Sequence, residues 1–81
     1  MRYELTTSLK PQQALDRAAA YFGPKGFGLE ITTKDESCLV FQGGGGHVAV
    51  TVQPRDAAKT TLEIETREWD RAVRQFMAEI H

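Results

Sequence analysis

Four consecutive glycines, Gly43–Gly46, separate two runs of β-forming residues, Cys38–Gln42 and His47–Gln53. No other stretch restricts the fold as tightly. Centring a two-residue turn on Gly44-Gly45 suits the positive φ angles of tight hairpins. That choice sets Gln42 opposite His47, Phe41 opposite Val48 and Leu39 opposite Val50. Leu39, Phe41, Val48 and Val50 then lie on one face, and Val52 continues it. A slip of one residue would mix the faces, so the pattern specifies both the hairpin and its register.

The remaining segments must supply what covers that face. Residues 2–7 read as a short strand, with Tyr3 and Leu5 on one side and Arg2, Glu4 and Thr6 on the other. Pro11 suits a first helical turn. Leu15, Ala18, Ala19 and Phe22 fall on one helical face, and Gly23-Pro24 ends the helix, with Gly23 expected in a left-handed cap. Leu29, Ile31 and Thr33 alternate with Glu30, Thr32 and Lys34 as a strand. Pro54 is expected to end the second hairpin strand, with residues 55–59 as a polar connection. Thr60–Arg67 is a further strand. Trp69, Val73, Phe76 and Ile80 form a helical stripe, with Thr66 or Asp70 as its cap and Asp70 and Arg74 spaced for an ion pair.

The order β-α-β-β-β-β-α predicts a single α+β domain over residues 1–81. Its antiparallel sheet of about five strands packs one face against both helices. Short connections favour a closing meander, and the first strand is expected beside the last. There, Arg2 and Glu4 approach Glu63, Glu65 and Arg67. This order of elements resembles the TATA-binding-protein-like arrangement, and it is also similar to a trimmed helix-grip fold of the kind used by START-type lipid carriers. The resemblance spans the chain as topology only and carries over no functional residue. A TATA-binding protein uses two such units with basic side chains on the sheet, whereas this chain has one unit and balanced charge.

That balance bears on function. Residues 1–40 contain five basic and five acidic side chains, and residues 41–81 five and six, which argues against nucleic acid as a partner. The single cysteine, Cys38, allows no internal disulfide. Met1–Leu5 lacks the apolar run of a signal peptide, and no stretch is long enough to span a bilayer, so a cytoplasmic setting without membrane attachment is expected.

The candidate sites are few. Gly43, Gly44, Gly45 and Gly46 suggest either a hairpin turn or a backbone cradle for an anion or partner. A nucleotide loop needs a Lys-Ser/Thr pair and a following helix, whereas His47-Val48-Ala49-Val50 is a strand. His47 and Cys38 are about four residues apart along the hairpin, roughly 13 Å at strand rise, too far for a nucleophile–base pair. Cys38, His47 and His81 are too scattered for a metal site. Arg67, Arg71 and Arg74 follow a 4-3 spacing that places them on one side of the last helix, where an anion contact competes with a solvated flank. Trp69, Phe76, Phe41, Phe22 and Tyr3 are core rings, or the lining of a cavity if the alanine-rich helix leaves room.

No catalytic residue, metal site or cofactor emerges, so an enzyme is the weakest reading. The expectation is a small non-catalytic binding or protein-interaction domain, whose partner is itself or another protein. Val40, Ala49 and Cys38 form a mildly apolar stripe on its second sheet face. The alternative is a carrier of a small hydrophobic ligand held between sheet and helices. Gly43–Gly46, His47, Arg67 and Trp69 are the candidate contact residues.

Overall fold

The computed structural model describes residues 1–56 and 58–80, with the side chain of Asp56 not described. Its elements are β1 (Arg2–Thr7), α1 (Pro11–Phe22), β2 (Glu30–Lys34), β3 (Cys38–Gly43), β4 (Gly46–Asp56), β5 (Lys59–Arg67) and α2 (Asp70–Ile80). The strands form one antiparallel sheet in the order β1-β5-β4-β3-β2. The architecture is therefore the α+β arrangement that the alternation of periods predicts, with β1 closing on β5.

The hairpin register is the one read from the sequence: Gln42 pairs with His47, Phe41 with Val48 and Leu39 with Val50. Gly44 and Gly45 take φ of 58° and 80°, which a side chain rarely tolerates. With the turn so fixed, Leu39, Phe41, Val48, Val50 and Val52 all become buried. Leu62 and Ile64 of β5 and Leu5 of β1 extend the same face.

Both helices lie on that face. Helix α1 packs on β3 and β4 through Ala14, Leu15, Ala18 and Phe22, while α2 packs on β5 through Ala72, Val73, Phe76 and Ile80. The rings of Phe22, Phe41 and Phe76 fill the centre: Phe22 lies 5.6 Å from Phe41 and 5.1 Å from Phe76 between centroids. Burying each such ring contributes roughly 1.5–3 kcal/mol relative to exposure. Among the described residues, no helix is long and apolar enough to cross a membrane.

Several local expectations are corrected. Pro54 does not end its strand; β4 continues to Asp56, with Pro54 opposite Thr60. The reason lies in the ladder. Val52 donates its N–H to Ser37 on the β3 side, so Pro54, two residues on, points the same way, past the end of β3 at Cys38. Its missing N–H costs no ladder bond there. Gly23 closes α1 at φ −71°, not in the left-handed region. A Cβ at Gly23 would collide with the Ala19 carbonyl oxygen, so close approach is what favours glycine there.

At α2, Thr66 lies within β5 and Asp70 is already the first helical residue. The Thr66 hydroxyl donates to the His47 carbonyl at 2.8 Å, and the Asp70 carboxylate accepts the Tyr3 hydroxyl at 2.8 Å. No Asp70–Arg74 bridge forms within 4.0 Å; among the described residues the Arg–carboxylate pair is Arg2 with Glu65. Arg67 belongs to β5 and not to a helical flank with Arg71 and Arg74.

Candidate functional site

Because both helices lie on one side, no second layer covers the other side of the sheet among the described residues. Strand alternation puts a defined set of side chains there. One row runs Gln42, His47, Arg67 across β3, β4 and β5. The next runs Val40, Ala49, Glu65, Arg2 across β3, β4, β5 and β1. A third runs Cys38, Thr51, Glu63, Glu4. The apolar stripe expected from Val40, Ala49 and Cys38 is thus a real neighbourhood, half-exposed and flanked by charges.

A shallow depression of about 360 Å³ lies across β4, β5 and β1, lined by Ala49 and Thr51 and rimmed by Arg2, Glu4, Glu63 and Glu65. Glu65 is the hub of its charges. Arg2 Nε lies 3.6 Å from Glu65 Oε2, and His47 Nε2 lies 3.5 Å from Glu65 Oε1. Glu4 and Glu63 are different. They stand directly opposite each other in the β1–β5 register, and no ion pair reaches either among the described residues. Like charges so placed repel. The sequence places Arg2 and Glu4 near Glu63, Glu65 and Arg67, where a suitable register pairs opposite charges. The register does this for Arg2 with Glu65 and fails to do it for Glu4. A period of two gives the face of each residue but not its cross-strand neighbour, so this opposition had no signal in the sequence.

The four glycines and Trp69 make a second neighbourhood, at the end of the hairpin. The Trp69 indole N–H donates to the Gly43 carbonyl at 2.9 Å. A Cβ on Gly44 would stand 2.9 Å from Trp69 Cζ2, one on Gly43 would stand 2.6 Å from Leu29 Cδ2, and one on Gly46 would overlap the Arg67 carbonyl oxygen. Two glycines therefore make the turn, Gly44 also admitting Trp69, and the flanking pair let Leu29 and the end of β5 approach it. His47 and Arg67 face each other on the open side of the sheet. The structure thus brings Gly43, Gly44 and Trp69 together and pairs His47 with Arg67 on the open face beside the turn.

Cys38 lies opposite Thr51, and the Thr51 hydroxyl is 3.8 Å from Cys38 Sγ. That register holds it well away from His47. His81, weighed as a metal ligand, lies outside the described residues. Two tyrosines are perturbed. Hydrogen bonding to Asp70, with some burial and the nearby carboxylate charge, raises the Tyr3 pKa, against a smaller lowering by Arg74. Burial, with Glu79 beside it, raises that of Tyr21. Both shifts keep the phenols protonated and so hold them as hydrogen-bond donors. No protein-family model matches the chain, and a search of curated proteins finds no match.

Proposed function

We propose that this chain is a small non-catalytic protein-interaction domain that docks a partner on the uncovered face of its sheet. The observation that supports this reading is the asymmetry of the sheet. One face is closed by two helices, while the other presents a depression floored by Ala49 and Thr51 and rimmed by Glu4, Glu63 and the Arg2–Glu65 pair. A basic side chain of a protein partner fits this rim: its stem can lie along the small floor while its charge meets two carboxylates that no ion pair reaches among the described residues.

Titration with an extended Lys/Arg-containing peptide, followed in amide ¹H–¹⁵N spectra, tests this. Shifts confined to Ala49, Thr51, Glu63 and Glu65, and lost in the Glu4→Gln/Glu63→Gln double variant, are expected. An unchanged spectrum at millimolar peptide overturns the reading. The alternative, a carrier of a small hydrophobic ligand, needs room between sheet and helices, where Phe22 already sits 5.1 Å from Phe76 and 5.6 Å from Phe41 between centroids. Extra mass retained in native mass spectrometry would favour that alternative.

A further inference from the structure

We propose that two copies of this chain pair edge to edge through β1, antiparallel, about a twofold axis at Tyr3, so that Arg2 of each copy stands opposite Glu4 of the other. This rests on reading the domain as an interaction module, and it names the partner as a second copy.

The sheet has two free edges, β1 and β2. They are not equivalent. Strand β2 carries a register shift between Ile31 and Thr33 and ends in Lys34, features that discourage pairing. Strand β1 runs six residues in unbroken register with β5, with neither proline nor bulge.

The direction of its backbone follows from its first bonds. Met1 and Thr66 exchange both backbone hydrogen bonds, each 2.9 Å. Since direction alternates along a strand, Tyr3, Leu5 and Thr7 also turn their backbone groups to β5. Arg2, Glu4 and Thr6 then turn theirs to the free edge, and any new ladder must be built from these three.

Matching inner face to inner face leaves few antiparallel registers. An axis at Glu4 sets the two Glu4 carboxylates opposite each other, beside the Glu63 each already faces. An axis at Leu5 sets Glu4 opposite Thr6 and supplies no cation. An axis at Tyr3 sets Arg2 opposite Glu4 twice, and only this one relieves the repulsion between Glu4 and Glu63. Each Arg2, 3.6 Å from its own Glu65, would then be flanked by carboxylates from both copies. On the helix side, the same register places Met1, which is 75% exposed, opposite Leu5 of the second copy.

Light scattering behind gel filtration, over a concentration series, tests the pairing with the wild type, R2E, E4R and an equimolar mixture of the two variants. The wild type is expected to approach twice its 9.0 kDa mass as concentration rises. Each variant alone sets like charges opposite at both pairs and should dissociate at least about tenfold more readily. The mixture should recover the double mass, because each chain then offers the other the charge it lacks. Amide exchange on the wild type reads the register without any variant: Arg2 and Glu4 become slow at high concentration while Thr6 stays fast. A wild type that remains monomeric at millimolar concentration, a dimer indifferent to R2E, or protection at Thr6 overturns the proposal. A monomer would leave the peptide titration to decide the role of the open face separately.

Discussion

The hydroxyl of Tyr3 lies 2.8 Å from Asp70 Oδ2 and fastens the edge strand β1 to the first turn of α2. The two residues are 67 positions apart, so the contact closes nearly the whole chain. It also raises the phenol pKa above its ordinary 10.0, the hydrogen bond being the largest cause. An acid whose pKa is raised by folding stabilises the fold fully below its unfolded value. That stability is lost as pH climbs through the folded value.

Urea unfolding of the wild type should therefore show stability falling as pH rises from the ordinary phenol value of 10.0 through the raised folded value, where the phenol would ionise beside a carboxylate. Tyr3→Phe should lose stability at neutral pH and show a shallower fall at high pH. The fall should not vanish, because Tyr21, also raised, still titrates. An unchanged pH slope in Tyr3→Phe would show that this contact does not govern the effect.

Gly44 and Gly45 separate two costs that usually come together. Both have positive φ, but only Gly44 also faces Trp69, where an added Cβ would stand 2.9 Å from Cζ2 of the indole. Gly45→Ala should cost about 1–2 kcal/mol, from the left-handed backbone alone. Gly44→Ala should cost more and should alter Trp69 fluorescence, since the indole must move. Equal costs with unchanged fluorescence would mean that the turn tolerates the displaced ring.

Phe76→Ala removes the ring that joins α2 to Phe22 and should cost about 3–5 kcal/mol. For a chain of 81 residues that is a large part of the whole stability, so the far-ultraviolet signal should melt near room temperature or be lost. Phe27→Ser removes a ring that is 47% exposed and should leave the fold intact. Matching losses in the two variants would contradict the position of the core.

The apolar set was legible because a half-buried sheet has only one way to place it. Leu39, Phe41, Val48, Val50 and Val52 give the hairpin register, and Val73, Phe76 and Ile80 give the face of α2. The polar partners were not legible. Thr66 and Asp70 look like caps in sequence, yet their oxygens are engaged by His47 and Tyr3 from distant strands. Pro54 reads as a strand end until the length of the neighbouring β3 is known. The indole N–H of Trp69 reaches Gly43 across 26 positions, which no local spacing announces. The same holds for the open face, where local pattern shows that Glu4 and Glu63 point outward but only the β1–β5 register shows that they meet.

That meeting gives a variant with two opposite effects. Glu63→Lys turns a like-charge cross-strand pair into an attractive one and should stabilise the fold by about 0.2–1 kcal/mol. It also supplies Glu4 with a cation from the same chain, so it should weaken both the binding of basic peptides and the pairing of two copies. Urea denaturation and peptide titration on the same sample measure the two effects. A variant that is merely damaged would lose both stability and binding. If it gains stability and binds as well as the wild type, then Glu4 and Glu63 do not form the docking surface.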